Sequence, residues 1–384
     1  VVQQMILECL RHWVIHYRVD GFRFDLASIL GRNEDGTPLL QPPLLRNLAE
    51  DPVLKDVNLI AEAWDAGGLY QVGNFPAWNR WAEWNGKYRD ELRSFLKGEY
   101  WFAAQAAKRI TGSPDLYGGQ YRGYNSSINF LTCHDGFTLY DLYSYNEKHN
   151  EENGWNNTDG ADDNRSWNCG YEGKSDNPGI EALRKRMIKN ACAVLLCSRG
   201  TPMFLAGDEF CNTQFGNNNA YCQDNEISWL DWSLLEKNRE IYEFFRYMIA
   251  FRKKHSAIRG ECSPSGLGFP TVSVHTNQPW DNNVTQESKF LGVMFAGALT
   301  AGSNQETERT RELETEDLVY LAVNVFWEDQ QFFLPKLPNG FVWRLAVNTD
   351  QPEMPEKESQ MTVIDSEFIL KPRSVAVFVG GPSF

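Results

Sequence analysis

Apolar residues recur at helical spacing from the first turn of the chain. Val2, Ile6, Leu10, Trp13, Val14 and Tyr17 predict an amphipathic helix, followed by a short strand over residues 19–25. A loop with Asn33, Asp35, Gly36 and Pro38 and a helix over 43–50 lead to a second strand at 58–62. A third strand is expected at 81–85, then a helix with Tyr88, Leu92 and Phe95 on one face. Further strands are read at 127–133 and, introduced by Thr201-Pro202, at 203–206. Helices are read at 180–198, with Leu183, Met187, Ala191 and Val194 in register, and at 234–254. Short apolar strands alternating with helices predict a parallel sheet covered on both faces.

After about residue 263 the pattern changes. Strands at 290–295, 318–325, 341–347 and 375–379 have no helices between them, and Pro338-Asn339-Gly340 marks a turn. The polar run 300–317 reads as a solvated loop. The tail is thus expected to be a separate antiparallel β domain over 263–384, after an α/β part over 1–262.

Two polar segments, 146–179 and 214–225, are crowded with Asn, Asp, Glu and Gly, a composition compatible with disorder. Trp155 and Trp167 in the first, and Tyr221 with Trp229 near the second, favour loops that line a substrate. Amides and carboxylates bond sugar hydroxyls while aromatic faces stack on pyranose rings. Ordered loops without function are the remaining alternative.

A formal charge of −14 disfavours phosphate backbones and anionic lipid, so nucleic acid and membrane are not expected partners. No run of apolar residues reaches the length of a membrane-spanning helix. The eight cysteines show no C-x-x-C pair and no His at metal spacing, so no metal site is expected. Their scatter through apolar stretches fits reduced core thiols and a cytoplasmic location. Phosphate-cradling glycine motifs are also missing.

Three carboxylates stand out. Asp25 ends Val19-Asp20-Gly21-Phe22-Arg23-Phe24-Asp25, Glu62 ends Asn58-Leu59-Ile60-Ala61-Glu62, and Asp135 follows His134 just past the strand read at 127–133. Parallel strands in an α/β barrel deliver their C-terminal ends to one mouth, where chemistry occurs. One acid there is often a cap or an ion pair, but three unpaired acids are hard to explain as core. Arg23, two residues before Asp25, shares its strand face and would hold that carboxylate ionised, as a nucleophile requires. A purely structural Arg23–Asp25 pair is the competing reading. Glu62, beside that negative charge, would have its pKa raised and keep a proton for a leaving oxygen. Two unlike carboxyls at close range are the retaining glycosidase scheme.

These three runs resemble the second, third and fourth signature regions of the α-amylase superfamily. Glu62-Ala63-Trp64-Asp65, His134-Asp135-Gly136-Phe137-Thr138-Leu139, Asn146-Glu147-Lys148-His149-Asn150 and the run from Gly216 to Asn225 narrow the resemblance to isoamylases and bacterial glycogen debranching enzymes. The resemblance implies Asp25 as nucleophile, Glu62 as general acid/base, and Asp135 with His134 gripping ring hydroxyls. It also implies Arg23 holding Asp25, and Trp64 facing the leaving group. No cofactor is implied.

The implied fold is a partial (β/α)8 TIM barrel, strands four to eight, followed by an antiparallel β-sandwich. The first signature region, an Asp with an Asn-His pair on an earlier strand, has no match. The chain opens inside a helix, so upstream sequence is expected, and residues 1–384 alone are expected to be inactive. The implied activity is hydrolysis of α-1,6 branch linkages in glycogen, amylopectin or limit dextrin. The alternatives are an α-1,4 endo-hydrolase and a non-catalytic glucan-binding subunit, which would be expected to have lost catalytic acids.

Overall fold

The computed structural model describes residues 1–119, 122–298, 316–352, 354–355 and 357–383. The polar run read as a loop at 300–317 lies outside them up to residue 315. Helix α1 (Val2–Tyr17) precedes β1 (Gly21–Phe24), and α2 (Pro43–Glu50) precedes β2 (Asn58–Ala61). Next come β3 (Trp81–Trp84), α3 (Gly86–Leu96), α4 (Ala103–Ile110), α5 (Pro114–Tyr117) and β4 (Ser127–Phe130). After α6 (Leu139–Leu142), α7 (Pro178–Cys197) leads to β5 (Thr201–Met203), then α8 (Ser233–Lys237), α9 (Arg239–Lys254) and α10 (Ser256–Arg259). The five strands form one parallel sheet in the order β1-β2-β3-β4-β5. All five strand C-termini therefore open on the same edge, and β1 and β5 are its two borders.

Several elements depart from the expected bounds for identifiable reasons. The strand expected at 203–206 lies at Thr201–Met203, so Thr201-Pro202 belong to it rather than introduce it. Pro202 is tolerated because β5 pairs only with β4, and a border strand need not donate on its outer side. The helix read at 234–254 is two helices, divided at Asn238 (φ −114°), whose amide donates to Phe210 O at 3.1 Å. Helix α1 buries only part of the face its spacing indicated, with Leu7 added to it. Ile6, Leu7, Leu10 and Val14 pack against Leu44, Leu48 and Ala61, whereas Val2, Trp13 and Tyr17 are exposed. Arg18 ends the helix in the left-handed region (φ 55°), donating to Trp13 O and Val14 O.

The tail holds more strands than the pattern revealed. They are β6 (Val272–His275), β7 (Phe290–Ala298), β8 (Glu316–Asn324), β9 (Gln330–Phe333) and β10 (Phe341–Asn348), then β11 (Thr362–Ile364), β12 (Glu367–Leu370) and β13 (Ser374–Pro382). Six make an antiparallel sheet, β11-β10-β13-β8-β7-β6, and β12-β9 make a second. Alternation along β7, β8 and β13 sends Met294, Tyr320 and Phe378 to one face, where Phe332 and Leu370 of the small sheet cover them. Val293, Leu321 and Val377 point the other way and pack into the same core as Met187, Val194 and Phe245 of the helices. The turn at Pro338-Asn339-Gly340 forms as read, with Gly340 at φ 85° and Phe341 N donating to Pro338 O.

The two polar segments are ordered by pairing with each other. Asn150 donates to Asn218 Oδ1 at 2.8 Å, and Asn218 donates to Asn164 Oδ1 at 2.9 Å. Asn153 and Asn219 each donate to Asp159 Oδ2 at 2.8 Å. Asn150, Asn217 and Asn218 are buried, so their amides substitute for an apolar core between two loops.

None of the eight cysteines is bridged. Titration of denatured, unreduced protein with a thiol reagent is expected to count close to eight thiols; several disulfides would overturn the reading of a reducing compartment. No helix among the described residues is long and apolar enough to cross a membrane.

Candidate active site

The strand β1 carries Arg23 and releases Asp25 just past its end, while Glu62 and Asp135 follow β2 and β4. The parallel register aligns Phe24 with Ala61, so Asp25 and Glu62 leave neighbouring strands at the same level. Arg23 joins them. Its Nη1 lies 2.9 Å from Asp25 Oδ1 and its Nη2 lies 2.7 Å from Glu62 Oε1. The guanidinium also lies over the Trp84 ring, 4.3 Å from its centre, so β3 supplies a floor that fixes the cation.

The two carboxyls have unlike surroundings. The Asp25 side chain is 69% exposed and that of Glu62 only 5%. Glu62 Oε2 accepts from the Leu26 backbone amide at 2.8 Å, which Leu26 can offer because it sits at φ 42°. Burial pushes the Glu62 carboxyl above its usual range. The Leu26 amide and Arg23 oppose the rise, and the charges of Asp25 and Asp135 add to it. The sequence pointed to neighbouring charge as the cause; desolvation is the larger one.

Asp135 is exposed, with His134 Nε2 3.5 Å from its Oδ2, and His134 meets the Trp84 ring edge-on at 5.8 Å. Trp64 stacks on Tyr70, with ring centres 6.0 Å apart and planes within 12°. A Cβ at Gly86 would meet Tyr70 Oη at 2.7 Å, so the start of α3 must be bare for that stack to sit.

Several residues position this site through pairings that were not expected from the sequence. Asp65 binds Arg32 through both oxygens, at 2.6 and 3.0 Å, and accepts from Gly67 N, tying the loop after β2 to the loop after β1. Asp208, fully buried, accepts from the Thr132 hydroxyl and from Leu139 N at 2.8 Å. Thr132 and Leu139 bracket Asp135, so one carboxylate from the loop after β5 pins both ends of the segment carrying it. Asp141 returns the tie, accepting from the Thr213 hydroxyl and from Gln214 N at 2.8 Å. Between these braces Gly136 N donates to Asn218 O at 2.9 Å. Burial raises Asp208 to about 7 and Asp141 to about 6, against the pull of their donors. A sequence offers no direct sign of such pairings, since those of Asp208 and Asp141 join residues about 70 positions apart and that of Asp65 with Arg32 spans 33.

Among the described residues no group of three His, Cys, Asp or Glu side chains is arranged to hold a metal ion. One basic group bridges an exposed and a buried carboxyl, and a third acid follows β4 at the same edge of the sheet. That arrangement can stabilise a cationic centre, supply a nucleophile and hold a proton.

No protein-family model matches the chain. It is 44% identical over 351 residues to isoamylase 3, chloroplastic, of Oryza sativa subsp. japonica, covering 91% of this chain and 42% of that protein. It is 44% identical over 360 residues to the glycogen operon protein GlgX homolog of Mycobacterium tuberculosis, covering 91% of this chain and 49% of the relative. The Haemophilus influenzae GlgX homolog is 37% identical, with 94% and 52% covered. Among solved structures, a pullulanase from Bacillus acidopullulyticus superposes with a TM-score of 0.65 at 19% identity, covering 98% of this chain and 40% of that one. An Anoxybacillus pullulanase complexed with maltotetraose gives a TM-score of 0.64 at 18% identity, with 98% and 46% covered. The chain is thus a homologue of isoamylases and GlgX proteins over more than nine-tenths of its length, and spans about half the length of these curated relatives.

Proposed function

We propose that this chain carries the nucleophile and acid/base of a debranching glycoside hydrolase, which cleaves α-1,6 linkages of glycogen or a starch-like glucan with retention. The observation that carries the reading is Arg23 in contact with both Asp25 and Glu62. One guanidinium touching both carboxyls favours the short separation of retaining enzymes, about 5–5.5 Å, over the roughly 6.5–9.5 Å of inverting ones. The homology to isoamylases and GlgX proteins supports the same substrate class.

In the first step the Asp25 carboxylate attacks the anomeric carbon at the branch, and protonated Glu62 gives its proton to the departing O6. This leaves a glucosyl ester on Asp25. Glu62, now ionised, takes a proton from water, whose oxygen displaces Asp25 and restores both groups. Burial of Glu62 serves the first half, since it favours the protonated form. Exposure and the Arg23 contact serve Asp25, which must be ionised and reachable. Asp135 with His134 grips ring hydroxyls of the distorted glucosyl unit, and Trp64, backed by Tyr70, packs on the leaving-group side.

The parallel sheet β1–β5 is read as strands four to eight of a (β/α)8 barrel spanning 1–262, with 263–384 as a β-sandwich domain. Fold likeness to pullulanases along 98% of the chain supports this. Glycogen, amylopectin and limit dextrin are the proposed substrates, and unbridged cysteines support a cytoplasmic setting. Given glycogen or β-limit dextrin, protein carrying this chain is expected to release linear maltooligosaccharides and raise iodine staining while barely acting on unbranched amylose. Rapid loss of amylose viscosity would move it to the α-1,4 class.

A further inference from the structure

A cavity of about 710 Å³ lies between α6–α7 and the loop that follows β5, and none of Asp25, Glu62, Arg23 or Asp135 lines it. Its size is that of a small-molecule site. Four aromatic rings, Tyr140, Tyr145, Phe215 and Trp229, contribute to its wall. Phe215 and Trp229 are 51% and 58% exposed, which leaves two large apolar rings facing solvent. Both are held in place. Phe215 adopts φ 56°, a strained conformation for a bulky residue, with its amide donated to Thr213 Oγ1 at 2.9 Å. The Trp229 indole N–H donates to Asp224 at 3.1 Å.

Charge narrows the ligand. Lys174, Lys185 and Lys237 are outnumbered by Asp176, Glu181, Glu226 and Asp231, and Lys185 is paired with Glu240 at 2.9 Å. Carboxylates outnumber ammonium groups, which disfavours an anion, while Glu181 is paired with Arg184 at 2.8 Å and Asp231 accepts from the Ser233 amide at 2.9 Å. Fixed ring faces among carboxylates and amides suit a neutral polyhydroxylated chain that stacks and donates hydrogen bonds. The wall is also continuous with the acid cluster. Thr213 is bonded to Asp141, Gly216 O accepts from His149 N, and Asn218 O accepts from Gly136 N beside Asp135.

We propose that this cavity is a second glucan-binding site, which holds a neighbouring outer chain of the branched polymer while another branch lies at the acids. It rests on the debranching reading above and adds a site distinct from the acid cluster.

The test uses Trp229→Ala and Phe215→Ala in protein carrying this chain, with binding of linear maltoheptaose measured in an Asp25→Asn background. Two classes of site are expected, the second weakened about tenfold by either substitution, as for truncation of a buried-contact anchor. With Asp25 intact, KM for glycogen is expected to rise about fivefold or more, while kcat/KM on a short singly branched oligosaccharide stays within about twofold. A single class of site, or equal losses on both substrates, overturns the second site while leaving the debranching reading intact. Binding of inorganic phosphate in place of maltoheptaose overturns the ligand class. Absence of any branch cleavage by the unsubstituted protein would instead sink the debranching reading, and two-site maltoheptaose binding can be scored regardless.

Discussion

Glu62→Gln and Asp25→Asn are each expected to lower turnover on branched glucan by about 10³-fold or more without loss of the fold, because each removes an essential proton transfer or covalent step. The two variants should fail differently. Glu62→Gln keeps the nucleophile, so a substrate with an activated leaving group, which needs no proton, should still form the glucosyl ester and then stall. Asp25→Asn should form no ester with any substrate. A trapped adduct on Glu62 would invert the assignment. The pH profile carries a third signature. Burial raises the Glu62 carboxyl, and its protonated form is the active one, so activity should fall as pH rises through that raised value. Truncating Leu26 contacts cannot mimic this loss, since the amide that touches Glu62 is backbone.

Asp208→Asn is expected to reduce kcat/KM by about 10²-fold, the scale of loss for a displacement of about 1 Å at the reacting centre. Asp208 accepts from the Thr132 hydroxyl, Leu139 N and Leu205 N, and an amide in its place turns a donor toward donors. The segment from Thr132 to Leu139 would lose its two anchors, and Asp135 between them its position. A general structural role would lower stability without selecting a kinetic step. A positioning role predicts a further contrast. Thr132→Ser, which keeps the hydroxyl, should be near normal, whereas Thr132→Val should reproduce much of the Asp208→Asn loss in kcat with maltoheptaose affinity at the second site unchanged. Equal stability loss in all three variants with unaltered kinetics would remove Asp208 from the positioning set.

Periodicity alone was enough for the order of the five parallel strands and the longer helices α1, α2, α3, α7 and α9, though not for α4, α5 and α6, and for the switch to antiparallel strands. Both depend on which faces each segment must bury, and that is written in local spacing. The same holds for Asp25, Glu62 and Asp135, since a carboxylate just past an apolar strand lies at its C-terminal end wherever the sheet is. Local spacing indicated Ile6, Leu10 and Val14 of α1 but not Leu7 or the exposure of Val2, Trp13 and Tyr17, which depend on what α2 and β2 present. Nor could it locate β9 and β12, short strands stabilised by pairing between residues 34 or more positions apart. The polar loops show the limit most clearly. Their composition is that of a disordered chain, and their order comes from Asn150, Asn164 and Asn218 finding one another in a dry interior. The cause of the Glu62 shift was likewise a tertiary matter. Sequence placed a charge nearby, but the desolvation that dominates exists only once the folded chain buries the carboxyl. Residue types and spacing thus determined which groups are delivered to one edge of the sheet; enclosure and long-range pairing decided what each group's surroundings make of it.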